Sequence, residues 1–180
     1  MPHAVTHVLI TIVLMSLIRD FYISKKGKKN FPLHYVLIAG VAGLLPDIDI
    51  VSFWVLNFFG FAISEVHRTF THTLFTPLLF FLLFLAFTNV KIGTLERHKL
   101  KLNVIFLMIA FGSFMHLLLD ATLAGYIRPF YPFSLYSFGI NLIGHLPERL
   151  QDLALPSLDA AILVIWLIYI ELKHKISDFI

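Results

Sequence analysis

The chain has 180 residues, 58% of them hydrophobic and 14% charged, with a net charge of +3 and a mean hydropathy of +0.85. A soluble chain carries about 25% charged residues, so this composition excludes a soluble globular domain. Zero cysteines exclude disulfides and thiolate metal sites. The length allows a single domain, 1–180, and so small a positive charge gives no reason to expect a nucleic-acid partner.

Residues 4–22 are expected to form the first transmembrane helix. They lack a basic leader and a small-residue cleavage site, so the segment reads as retained. "HAVTH" places His3 and His7 at i, i+4, a spacing that can chelate a cation; His7 lies deeper, and His3 reads as interfacial. A second helix is expected over 33–46. It would be only about 21 Å long at ~1.5 Å per residue, ending below the far membrane surface. "LPDID" then supplies Asp47 and Asp49 after Pro46. Positions i and i+2 of a helix point about 200° apart, so the two carboxylates converge only in irregular backbone. Asp49 also suits the N-cap of the apolar piece 50–62, which is too short to span and should lie in the interface or re-enter.

"HRTFTH", residues 67–72, stands ahead of a helix expected over 70–90. From Thr69 to Val90 only His72 is ionisable, and roughly 18 apolar residues suffice for a span. His67 and His72 stand about 140° apart on a continuous helix. They meet only if the helix begins between them, with Thr69 or Thr71 as N-cap. Arg68 would then sit near a helix N-terminus, where anions bind; the plainer alternative is a set of interfacial residues touching lipid headgroups. A further helix is expected over 103–123. Its "HLLLD" sets His116 and Asp120 one turn apart. A charged Asp within a span costs roughly 2.5–3.5 kcal/mol, so the pair should face a metal ion or staple two helices by hydrogen bonds. The connection 125–156 is aromatic and Pro-rich, with a short amphipathic helix expected around "PERLQDLA". Ser157 would cap the last helix, 157–173, with Asp159 in its first turn.

The expected fold is therefore all-α: a polytopic integral membrane helical bundle of about five transmembrane helices plus one short interfacial or re-entrant helix. Arg19, Lys25, Lys26, Lys28, Lys29, Lys91, Arg97, Lys99, Lys101, Lys173 and Lys175 fall on one side of it, leaving only Arg68, Arg128 and Arg149 on the other. Basic residues accumulate in cytoplasmic loops, which puts the N-terminus outside and the C-terminus inside. His7, Asp47, Asp49, Glu65, His67, His72, His116 and Asp120 then all belong to the outer side, whereas His34, His98 and His174 fall inside. An imidazole and carboxylate site suits zinc, manganese or iron. The number of ligands suggests two ions, an arrangement that binds a phosphoryl group and activates water for in-line attack.

At His7, "LPDID", "HRTFTH", "HLLLD", Gly125 and "YPF" (Tyr131–Phe133) the chain resembles the YdjM-like family of predicted membrane-bound, metal-dependent hydrolases. The resemblance runs from residue 1 to about residue 135. It implies that Asp47, His67, His72, His116 and Asp120 are metal ligands, joined by His7 and Asp49. The order His, Asp, His, HxxxD is also distantly similar to zinc-dependent phospholipases C and single-strand nucleases, which favours phosphoester hydrolysis. Those enzymes continue with a later HxxxE, where this chain has only "HLPE", His145 to Glu148; no third metal is expected.

These residues lead to the expectation of a metal-dependent hydrolase in the cell membrane, with its site on the extracytoplasmic side. The substrate would be a lipid or lipid-linked phosphoester. Arg68, with Arg128 or Arg149, would bind the phosphate; Asp47 or Asp49, where not ligating, would be the general base. The aromatic loop 126–138 would form a lid or rim. The alternatives are a non-catalytic metal-binding transporter or sensor, and a structural protein whose polar cluster holds helices together. A transporter should carry polar groups along a continuous path, and the inner halves of these helices offer few.

Overall fold

The structure is a computed structural model that describes residues 3–26 and 31–175, the side chains of residues 64, 65 and 174 excepted. Lys28, Lys29 and the side chains of Glu65 and His174 therefore lie outside the described residues. The described residues are helical apart from loops and a single antiparallel bridge between Ile127 and Phe138.

Helix α1 (Ala4–Lys26) is followed by α2 (His34–Ala42), a 3-10 turn (Pro46–Ile48), α3 (Asp49–Leu56) and the short α4 (Ile63–Val66). Then come α5 (Phe75–Ala86), α6 (Gly93–Arg97), α7 (Leu102–Thr122) and α8 (Glu148–His174). Three helices are long and apolar enough to cross a membrane: α1, α7 and α8. A fourth crossing results if α2 and the Pro46–Phe59 segment form one span, bent by 52°. The apolar helix α5 has 12 residues, about 18 Å at ~1.5 Å per residue.

Several expected boundaries move. The second helix stops at Ala42 rather than at 46, because the chain bends ahead of Pro46. The expected helix 70–90 shortens to 75–86, and neither Thr69 nor Thr71 caps it: Leu74 occupies that position with no side-chain cap. Instead the Thr69 hydroxyl donates to the Val66 carbonyl and the Thr71 hydroxyl to Asp49. Asp49 likewise makes no cap, the N-cap of α3 being Ile48. Finally, α8 begins nine residues before the expected start at 157, at Glu148, and runs through Pro156. Proline removes one donor from a helix, and here "PERLQDLA" and the last span fuse around it. Ser157 therefore caps nothing. Asp159 lies mid-helix, accepting from the Thr6 hydroxyl at 2.6 Å and facing His3 at 3.4 Å.

The centre of the bundle is α7, packed against α2 and α5, while α1 packs against α2 and α8. Small residues let the backbones approach. A Cβ on Gly112 would stand 2.3 Å from the Ala39 carbonyl oxygen, and one on Gly40 would stand 2.5 Å from Ile12. Such close crossings are how helices associate where lipid removes the hydrophobic drive between them. Met15, Tyr35, Val36, Ala39, Leu100 and Met108 form the buried apolar core. Outward faces are apolar too, as with Leu79 and Leu82 on α5 and Val164, Ile165 and Ile168 on α8. That is the surface a hydrocarbon solvent requires.

Candidate metal centre

Four separate elements deliver polar side chains to one end of this bundle. α1 contributes His7 from its first turn, and α7 contributes His116 and Asp120 from its last two turns. The 3-10 turn after the bend contributes Asp47, and the loop before α5 contributes His67 and His72. His7, His72, His116 and Asp120 are essentially inaccessible, while the side chain of Asp47 is 19% exposed.

The bend after α2 makes the first contact. With α2 ended, the Gly43 carbonyl is free to face α7, where it lies 2.7 Å from His116 Nδ1. A carbonyl only accepts, so Nδ1 carries the proton and Nε2 presents a lone pair. Asp49 does the same for the loop. Its Oδ1 lies 2.8 Å from His67 Nδ1, and its Oδ2 lies 3.1 Å from His72 Nδ1. Oδ2 also accepts from the Thr71 hydroxyl at 2.9 Å and from the Arg68 backbone N–H at 3.2 Å. Arg68 itself has φ +61°, a left-handed conformation that turns the loop back over Asp49. Its guanidinium donates to the carbonyls of Ala124 and Tyr126 and stands 3.4 Å from Asp120.

The geometry left at the centre fits a cation. His72 Nε2 and His116 Nε2 face each other at 3.2 Å. Asp47 Oδ1 is 3.4 and 3.5 Å from them, and Asp120 Oδ2 is 3.6 Å from each. Ligand atoms at ~2.0–2.1 Å from one tetrahedral zinc ion are about 3.3 Å apart. Both Asp120 oxygens, Asp47 Oδ1, His67 Nε2 and His7 Nδ1 are buried without a hydrogen-bond partner, Asp120 Oδ1 having only the longer ion contacts to Arg68 at 3.4 Å and His7 at 3.5 Å, and a buried polar group without a hydrogen bond is costly. Three overlapping groups could each hold an ion: His7, Asp47 and His116; Asp47, His67 and His72; His72, His116 and Asp120. Burial alone would lower the pKa of His72, but the carboxylates of Asp47 and Asp49 outweigh it and raise the pKa above its ordinary value.

The structure thus gathers His7, Asp47, His67, His72, His116 and Asp120. Asp49 is adjacent, but its oxygens are occupied by the loop it holds, and it belongs to none of the three groups. Arg68 reaches the cluster through Asp120; among the described residues Arg128 and Arg149 make no ion pair with it. His145 and Glu148 belong to none of the three groups: the His145 Nδ1–H donates to the Asn141 carbonyl at 2.9 Å, and Glu148 opens α8. His3 pairs with Asp159. Sequence reading missed the Gly43 carbonyl, which has no side chain to mark it, and the orienting role of Thr71. It also gave no reason for Gly125. That residue has φ +125°, and a Cβ there would stand 2.4 Å from Arg68 Nη1, so the glycine makes room for the guanidinium.

A helical membrane protein with a buried histidine and aspartate cluster able to hold metal is the class that the fold and site define. The family model described as the YdjM inner membrane protein matches residues 1–174, and the chain belongs to that family. No curated protein and no solved structure matches it.

Proposed function

We propose that the protein is a metal-dependent hydrolase of a phosphoester in a lipid or lipid-linked substrate, acting at the extracytoplasmic face. The observation that carries this reading is that the Nε2 atoms of His72 and His116 face each other at 3.2 Å, with Asp47 Oδ1 and Asp120 Oδ2 each 3.4–3.6 Å from both. Asp47, His72, His116 and Asp120 would hold one divalent ion, zinc being the best match to this donor set. His7 or His67 would complete a second position through the shared ligands. When bound, the metal supplies Lewis acidity to a phosphoryl oxygen and acidifies water.

The chain's own residues supply the rest. Asp49 fixes the tautomers of His67 and His72, as carboxylates behind ligating histidines do. Arg68, anchored on Asp120 and the 124–126 carbonyls, lines a polar pocket of ≈ 460 Å³ with His3, Gln151 and Asp152, and would pair there with a phosphate oxygen. In the reaction one water is consumed. Its oxygen joins phosphorus, the P–O ester bond breaks, and a proton goes to the leaving oxygen.

Against a transporter stands the core described above. Met15 on α1 and Met108 on α7 lie eight residues from His7 and His116, about 12 Å at ~1.5 Å per residue. Both are buried in an apolar cluster. That core supports a site served from one side. Lys25 and Lys26 end α1 at the far end of the bundle, and Lys101 precedes α7 there. By the positive-inside rule that end is cytoplasmic, with the N-terminus outside and α5 as the fifth crossing. The test is turnover by purified protein of a chromogenic phosphodiester and of phospholipid in mixed micelles, with and without added zinc or manganese. Metal-dependent hydrolysis abolished by His116→Ala supports the reading; no hydrolysis of any phosphoester under metal loading removes the enzyme and leaves a metal-binding protein.

A further inference from the structure

We infer that an apolar groove formed mainly by α2, the turn after it and α3, together with Ala4 of α1 and Ile109 of α7, holds the hydrocarbon chain of a bilayer phospholipid and delivers its ester laterally to the metal centre. The inference rests on the reading of that centre given above and names how its substrate is held. The groove has a volume of ≈ 800 Å³ and is lined by residues such as Leu37, Val41, Leu45, Ile48 and Val51. Asp47 is the only ionisable residue lining it.

Asp47 also belongs to two of the three candidate ion groups. It is the most accessible member, though partly buried, of a cluster whose His72, His116 and Asp120 are wholly buried. The cluster therefore meets the outside, at this edge, through a carboxylate set in hydrocarbon. The 52° bend between α2 and the 46–59 segment falls within the groove's lining, between Val41 and Ile48. Arg68, 3.4 Å from Asp120 of the same cluster, lines a separate polar pocket. An amphipathic molecule fits this arrangement: chain in the groove, phosphoester at Asp47, headgroup toward Arg68, Gln151 and Asp152. A wholly water-soluble phosphoester has no use for the groove.

The test is photolabelling of the full-length protein in phosphatidylcholine and phosphatidylglycerol vesicles containing a phospholipid with a diazirine on one acyl chain, followed by peptide mapping. Labelling should concentrate on residues 37–51, well above that of the lipid-facing positions Val164 and Ile168 on α8. Filling the groove by Val41→Trp should lower the 37–51 labelling several-fold while leaving metal content and labelling of α8 unchanged; Ile48→Trp should act alike. Equal labelling of the groove and α8, unchanged by either substitution, would mean ordinary annular lipid and overturn the inference. Labelling requires no turnover, so groove labelling without hydrolysis would sink the hydrolase and spare the groove. Metal-dependent hydrolysis of the chromogenic diester without groove labelling would do the reverse.

Discussion

His72 and His116 present their Nε2 atoms to each other across 3.2 Å, each ring having its Nδ1 turned to an acceptor, Asp49 for one and the Gly43 carbonyl for the other. In neutral rings this sets lone pair against lone pair. With Asp47 and Asp120 oxygens also within 3.6 Å of both nitrogens, a bound cation would reconcile the four groups. The predictions below follow from that relationship and from the side chains that hold it.

Asp49 should behave as an orienting residue. Removing a carboxylate behind metal-ligating histidines typically costs about 10–100-fold in metal affinity. Asp49→Ala should therefore weaken metal binding by that factor in a competition titration, whereas His72→Ala should abolish binding. Equal and complete loss in both would make Asp49 a ligand in its own right.

Gly125→Ala should displace the Arg68 guanidinium, since its Cβ would lie 2.4 Å from Nη1 and the backbone has φ +125°. Strain of this kind costs about 1–3 kcal/mol, to be read as a lowered unfolding midpoint in detergent. The double change with Arg68→Ala should cost less than the sum of the two singles, because the clash disappears with the guanidinium. Strict additivity would show that the two do not meet.

How much of this was legible in sequence depended on locality. "HLLLD" on α7 could be read directly, because i, i+4 spacing within an apolar run fixes both the face and the depth of His116 and Asp120. "HRTFTH" was legible as residue types but not as a shape. His67 and His72 converge because Asp49, 18 residues earlier, gathers both rings and the Arg68 N–H, not because Thr69 or Thr71 caps a helix. The start of α8 was misread for a related reason. Pro156 and Ser157 form a plausible local boundary, but a helix tolerates one missing donor when its flanking turns are favourable. Gly43 gave no signal, since its contribution is a backbone carbonyl exposed by a bend.

Metal retention should fall on acidification. The histidine ligands must be neutral to bind, and the carboxylates around His72 raise its proton affinity. Protons therefore compete at a higher pH than at an ordinary imidazole, near 6.5. The apparent affinity should climb as pH rises through and above that value, and be lost below it. A flat profile between about pH 5.5 and 8 would exclude His72 as a ligand.

Topology can be checked independently, because the chain has no native cysteine. A cysteine at Ser134, in the exposed aromatic loop near the cluster, should react with an impermeant maleimide on intact cells; one at Ser24, in the last turn of α1, should not. The opposite pattern would turn the site to the cytoplasm.

The central claim is that His72, His116, Asp47 and Asp120 hold a metal ion, and elemental analysis of detergent-purified protein tests it most directly. The account predicts about one or two equivalents of divalent transition metal per chain. That metal should be lost in His116→Ala and Asp120→Ala proteins that still purify as folded species, and chelation should lower the wild-type unfolding midpoint. Wild-type protein that is metal-free, takes up no zinc or manganese, and unfolds at the same temperature with or without chelator would contradict it.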